Sequence, residues 1–196
     1  MDFLHSVSRI LLEGGDGLQV THRLDGRYGA MDPKELAAVV GKLAEAMDVT
    51  AVDYVLGFPE GGTIPAFAFA RLVGRPLILS TRLEFALPGG PPIAFVEPHT
   101  SIGKTHYLHG LSRGDRVVIV EDEVTSGRTL LSAVRALRGA GVAISQAGAL
   151  MAVDDPRMWQ AMEDEKVSLH VVGRLPRGFG ARPDVPPAAA SPSGPP

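Results

Sequence analysis

Val117-Val118-Ile119-Val120-Glu121-Asp122-Glu123-Val124-Thr125-Ser126-Gly127-Arg128-Thr129-Leu130 is the stretch that decides how this chain folds. Four aliphatic residues in a row, without polar alternation, describe a strand buried on both faces, as in parallel sheets covered by helices. The acids, hydroxyls and glycine that follow break the strand, and residues 130–137 continue at helical spacing until Gly139 and Gly141. The same succession occurs upstream. Residues 52–57 read as a short buried strand, Phe58-Pro59-Glu60-Gly61-Gly62 interrupts it, and 63–73 reads as a helix stopped by Gly74. Before that, Asp32-Pro33-Lys34-Glu35 supplies an N-cap, a proline at the first helical position and a capping-box glutamate. Leu36, Val39, Val40, Leu43 and Met47 then mark the apolar face of a helix.

Further strands are predicted at 76–80, 116–120, 147–153 and 167–172. Strands alternating with helices at this spacing predict an α/β fold, an open and mostly parallel twisted sheet flanked by helices with right-handed crossovers. Ligands of such sheets lie outside the carboxyl ends of the strands, in the loops that lead into helices. Two loops are so placed, 58–62 and 121–129.

The composition narrows the chemistry. The chain has 196 residues, 45% hydrophobic and 21% charged, which suits one domain with an ample core. Nineteen basic residues against twenty-two acidic ones leave a net charge of −3, so neither nucleic acid nor an anionic membrane is an expected partner. The absence of cysteine removes disulfides, thiolate catalysis and cysteine-ligated metals. The opening Met1-Asp2-Phe3-Leu4-His5 has neither a basic n-region nor an apolar h-region, and cytoplasm is the expected location. Residues 186–196 carry only Pro, Ala, Ser and Gly, which predicts a disordered tail.

Each part of the loop after Val120 has a physical use. Thr125, Ser126 and Thr129 offer hydroxyls, Gly127 admits close backbone approach, and the start of the helix presents free N–H groups and a positive dipole end. Together these make a phosphate cradle. Glu121 and Asp122 suit sugar hydroxyls or a hydrated metal rather than phosphate. The plainer alternative is a polar loop whose hydroxyls cap a helix and whose acids are solvated. No Walker-type Gly-x-x-x-x-Gly-Lys-Ser/Thr is present.

Residues 117–130 resemble the phosphoribosyl diphosphate (PRPP) motif of type I phosphoribosyltransferases: four hydrophobic residues, two acids, then a Thr/Ser-Gly-x-Thr loop. Residues 52–65 resemble that family's first strand and pyrophosphate loop, and the similarity extends over about residues 20–155 by spacing. The resemblance implies that Glu121 and Asp122 hold the ribose hydroxyls, that Thr125, Ser126, Gly127, Arg128 and Thr129 hold the 5′-phosphate, and that Pro59, Glu60 and Gly61 cover the pyrophosphate. It also implies a mobile lid, here 82–110, with Arg82 and Lys104 as cations for the pyrophosphate and, with Asp122, as catalytic residues. Mg²⁺ would arrive with PRPP and lie near Glu121 and Asp122, and the enzyme would be a homodimer.

The implied organisation is a hood segment (1–30), a core (31–173), a C-terminal extension (174–185) and the tail. The implied reaction is transfer of the phosphoribosyl group to a ring nitrogen of a purine, pyrimidine or related base. The resemblance is divided. Residues 17–43 and the Pro-Glu-Gly-Gly loop are most similar to orotate enzymes, while Ile102-Gly103-Lys104 is similar to adenine enzymes. The basic lid motif of the orotate enzymes is absent, since Leu83, Glu84 and Phe85 follow Arg82, and Ser101 stands where adenine enzymes carry a lid glutamate. The hood residues Phe3, His5, His22, Arg23, Arg27 and Tyr28 could meet a base or pack the segment itself. A non-catalytic PRPP- or nucleotide-sensing protein of the same fold is the alternative.

Overall fold

A computed structural model describes residues 3–11, 18–24, 26, 29–88, 90–98 and 104–179. A 3-10 turn (Phe3–Ser6) and the antiparallel hairpin β1 (Ser8–Leu11) and β2 (Leu18–Thr21) open the chain. There follow α1 (Pro33–Ala46), β3 (Tyr54–Gly57), α2 (Thr63–Val73) and β4 (Leu77–Leu79). A second antiparallel hairpin, β5 (Ile93–Glu97) and β6 (Lys104–Leu108), precedes β7 (Arg116–Val124), α3 (Arg128–Gly139), β8 (Ala143–Val153), α4 (Pro156–Asp164) and β9 (Ser168–Leu175).

The central sheet has the order β4-β3-β7-β8-β9, and every neighbouring pair is parallel. From β3 the chain steps outward through α2 to β4, and from β7 it steps the other way through α3 and α4 to β9. Right-handed crossovers running in opposite directions put their helices on opposite faces. Accordingly α1 and α2 cover one face with the N-terminal segment, where Phe3, Val20, Leu24, Leu43, Phe69, Val118 and Val120 are buried together. The helices α3 and α4 cover the other with the β5–β6 hairpin, burying Phe95, Leu108, Val117, Ile119, Leu137 and Met162. The aliphatic run of β7 is continuous because its residues alternate between two cores. Full burial of one such side chain contributes about 1.5–3 kcal/mol. The order reverses between β3 and β7, and that crevice is where such folds bind ligands.

Several elements differ from expectation. β7 runs to Val124 rather than ending at Val120, because its pairing with β8 continues through Glu121↔Ala149 and Val124↔Ala152. The two acids therefore lie inside the strand, and the loop begins at Thr125. α4 occupies a stretch in which no element is expected, and β9 runs to Leu175, past the expected end of the core. The long connection 82–110 contains a paired hairpin. Residues 186–196, with Arg27, Tyr28, His99, Ser101, Ile102 and Gly103, lie outside the described residues. Among the described residues no helix is long and apolar enough to cross a membrane.

Candidate active site

Two strand-to-helix junctions meet at the crevice. At the first, β3 leads into Phe58-Pro59-Glu60-Gly61-Gly62 and then α2, with a cis peptide between Pro59 and Glu60. At the second, β7 leads through Thr125 and Ser126 to Gly127 and α3. Neighbouring residues of a strand point to opposite faces, so Glu121 and Asp122 project to either side of β7. The first loop sits astride both. A Cβ on Gly61 would overlap the Asp122 carboxylate, and one on Gly62 would lie 2.6 Å from Glu121 Oε2. Both positions require glycine because the loop backbone rests on the acid pair itself.

The two carboxylates have different surroundings. Glu121 Oε1 is shut off from solvent and has no hydrogen-bond partner. Its carboxyl is pushed well above the ordinary 4.5, first by burial and then by the charges of Asp122 and Glu123, against the pull of the Phe58 backbone N–H bonded to it. Asp122 is 6% exposed, and its Oδ2 lies 3.8 Å from Nε2 of His22, whose ring nitrogens are buried without hydrogen-bond partners. His22 stands just beyond β2 and meets Phe3 edge-on, with ring centroids 6.3 Å apart. Phe3 and His22, two of the hood residues considered for base contact, are thus packed inside.

At the second junction Ser126 Oγ accepts from the Arg128 N–H at 3.4 Å. Gly127 takes a left-handed conformation, φ 71°, and provides no side-chain cap for α3. Gly62 likewise gives α2 no side-chain cap. By contrast α1 and α4, which begin elsewhere, are capped by Asp32 and Asp155, each accepting from a backbone N–H of its own first turn. Both helices that start at the crevice therefore begin on a glycine and direct a positive dipole end toward it. Thr125 and Thr129 are half-buried there, and Ser126 and Arg128 are exposed. Gly127 is supported from below by α4, since a Cβ on it would lie 2.6 Å from Met162 Cε. Arg128 lines a cleft of about 340 Å³ between α3 and β5, with Val96, Pro98 and Arg135.

The hairpin approaches from the side. Arg82 Nη1 donates to Glu97 Oε2 at 3.0 Å, and that oxygen also faces His106 Nε2 at 3.3 Å. Bonding to His106 and Arg82 holds the Glu97 carboxyl down to about 2, against the upward push of burial. Lys104 is exposed at the far end of β6, in register with Glu97. Arg82 is thus engaged by the last residue of β5, at the tip of the hairpin, and Lys104 is exposed beside it. Ser80, Glu97 and His106 are polar residues to which the sequence assigned no role. Their partners lie far away in sequence, and only the inward alternation of His106 and Leu108 along β6 marks the former as enclosed.

The family described as "Phosphoribosyl transferase domain" matches residues 32–172 of the chain. The hypoxanthine/guanine phosphoribosyltransferase of Methanobrevibacter ruminantium is 30% identical over 135 residues, covering 68% of this chain and 70% of that protein. That of Methanosarcina acetivorans is 30% identical over 142 residues, covering 71% and 72%. Among solved structures, the adenine phosphoribosyltransferase of Giardia lamblia complexed with 9-deazaadenine superposes with a TM-score of 0.69 at 19% identity, covering 89% of this chain and 96% of that one. The Rhodothermus marinus adenine phosphoribosyltransferase gives 0.68 at 18% identity, over 88% and 96%. At such identities the structural likeness concerns the fold.

Proposed function

The chain belongs to the type I phosphoribosyltransferase family, and from that premise we propose that it transfers the 5-phosphoribosyl group of PRPP to a ring nitrogen of a purine base, releasing pyrophosphate. The observation that carries this reading is the pair of helix starts on glycine, on either side of Glu121 and Asp122. PRPP has a phosphate at one end, a diphosphate at the other and two hydroxyls between, and the crevice offers complements in that order. Thr125, Ser126, Gly127, Arg128 and Thr129 take the 5′-phosphate, Glu121 and Asp122 the ribose hydroxyls, and Pro59, Glu60 and Gly61 with Arg82 the pyrophosphate. The purine preference rests on the named activities of the relatives.

In the reaction the base nitrogen forms its bond to C1 as the bond to the diphosphate oxygen breaks, with inversion. The ribose passes through oxocarbenium-like positive charge while the diphosphate leaves with added negative charge. The protein therefore works by positioning and fixed electrostatics. The acid pair holds the ribose and faces the growing positive charge. The α2 start and Arg82 face the growing negative charge, and the hairpin with Lys104 closes over the site and excludes water. The donor set fits Mg²⁺ carried in with PRPP, since Glu121 Oε1 is buried without a partner beside Asp122. Glu121 and Asp122 would stand nearest that ion, which when bound neutralises charge on the departing diphosphate.

A homodimer fits the surface. α2 exposes Phe67 and Leu72, and the segment after β4 exposes Leu83, Phe85 and Leu87. The function is tested by incubating the protein with PRPP, Mg²⁺ and a panel of purines, pyrimidines and other nitrogen heterocycles. A purine ribonucleotide mass with equimolar pyrophosphate is the expected result. Product from pyrimidines alone would overturn the purine assignment. PRPP binding with no product from any base would favour the sensing reading, with which the pairing of Arg82 to Glu97 is consistent.

A further inference from the structure

Across the hairpin and the segment that follows β4, four polar side chains from three separate segments form one unbroken chain. Ser80 Oγ lies 3.0 Å from His106 Nδ1, His106 Nε2 lies 3.3 Å from Glu97 Oε2, and Arg82 Nη1 donates to the same oxygen at 3.0 Å. His106 is 1% exposed. Its ring stacks on Phe95 at 4.8 Å and 14°, and Phe58, the residue that leads into the pyrophosphate loop, lies 6.1 Å away and 4.7 Å from Phe95. The ends of this arrangement are fixed. Ser80 N–H donates to the carbonyl of Gly57 at the end of β3, and Thr81 exchanges two backbone bonds with Tyr107.

The proton positions follow from the partners. The Glu97 carboxylate only accepts, so Nε2 carries the proton and donates to it. Nδ1 faces the Ser80 hydroxyl, which is able to donate or accept there. A buried ring fixed at both nitrogens and on its face has one orientation available, and so, through it, does the Glu97 carboxylate. Glu97 in turn is what holds the Arg82 guanidinium, close enough to the crevice that the Glu97 charge is felt at Glu121.

We propose that His106 is a positioning residue for PRPP binding, which through Glu97 sets the guanidinium of Arg82 at the mouth of the crevice. This rests on the assignment of Arg82 to the pyrophosphate made above. The side chain is chosen for its fixed donor and not for its bulk, and the stack on Phe95 would be served equally by phenylalanine.

The test is a double-mutant cycle on PRPP affinity, measured by calorimetry with Mg²⁺ and checked for cooperative melting of every variant. His106→Phe keeps ring and volume and removes both polar contacts, and it is expected to weaken PRPP binding about tenfold. His106→Gln, whose amide can supply the donor to Glu97, is expected to restore most of that affinity. In an Arg82→Ala background, His106→Phe should produce no further loss. Unchanged affinity in His106→Phe, failure of His106→Gln to restore it, or full additivity with Arg82→Ala would each overturn the proposal. Should His106→Phe not fold, Glu97→Gln is carried through the same cycle with the same criteria. If Arg82→Ala itself leaves PRPP affinity intact, the assignment of Arg82 fails and takes this inference with it. If the unsubstituted protein does not bind PRPP, the function fails. Loss in Arg82→Ala without loss in His106→Phe overturns the positioning role alone.

Discussion

Gly61 lies over Asp122 so closely that the smallest possible side chain at 61 would occupy the space of the carboxylate. Two loops far apart in sequence are thereby held in contact at the atoms expected to meet the ribose. Gly61→Ala should displace either the loop or Asp122. The expected result is a fall in kcat/KM for PRPP on the order of 100-fold, since misplacement by about 1 Å at a reacting centre costs that much. Cooperative melting should persist. Activity within a few-fold of the parent would mean that the loop shifts freely and does not position the diphosphate.

Glu121 and Asp122 should respond differently to amide substitution. A carboxyl whose folded value is raised above 4.5 loses stability as pH rises from that value, because the unfolded chain releases the proton more readily. Glu121→Gln should therefore stabilise the ligand-free protein at neutral pH by about 1 kcal/mol, or about 2–4 °C in melting temperature. The same variant should bind PRPP poorly. Asp122→Asn should also lose PRPP use, and because it disturbs a buried contact with His22 it is not expected to stabilise. A lower melting temperature in Glu121→Gln would show that the Glu121 carboxylate is satisfied in solution.

Met162 supports Gly127, at the start of α3, from α4 and is 1% exposed. Met162→Ala should cost about 2–5 kcal/mol as a cavity mutation. It should also raise KM for PRPP at temperatures where the fold remains intact, while kcat stays near its parent value. Loss of stability with an unaltered KM would separate α4 from the cradle.

Glu97 carries the opposite sign to Glu121. Its carboxyl is held down at about 2 against an ordinary 4.5, so the stability it contributes is present above pH 4.5 and is lost as pH falls toward 2. Melting curves of the parent and of Glu97→Gln should differ by a constant amount above pH 5 or so and converge below about pH 2. A difference that stays level down to pH 2 would mean that the Arg82 and His106 contacts do not depend on the carboxylate's charge.

The sheet was legible because its signals are local. An aliphatic run such as 117–120, or a cap such as Asp32-Pro33, describes a short segment without reference to anything else. α4 carries the same kind of signal in Asp155-Pro156, but it is short and buries only Met158 and Met162, too few positions to show a period. The strand-to-helix junction at 121–129 was legible for the same reason, as one uninterrupted segment. What escaped was everything made by pairing distant residues: the seating of Gly61 on Asp122, the approach of His22, and the chain from Ser80 to Arg82. The continuation of β7 through Val124 escaped as well, because it is the partner strand β8 that keeps acidic residues in extended pairing.

The glycine starts of α2 and α3 have a consequence for making a hardier version of this enzyme. A well-chosen side-chain cap is worth about 1 kcal/mol, and proteins of this kind hold only about 5–15 kcal/mol in total. Helix-start optimisation would therefore single out positions 62 and 127, since α1 and α4 already have their aspartates. Neither start can be hardened in that way, since a side chain at 62 would run into Glu121 and one at 127 into Met162. A ligand seated at those starts would stabilise the protein instead, by about 2.7 kcal/mol at a hundredfold excess over Kd. If PRPP seats there as proposed, thermal protection by PRPP reads how full those two helix starts are, and it needs no knowledge of the acceptor base.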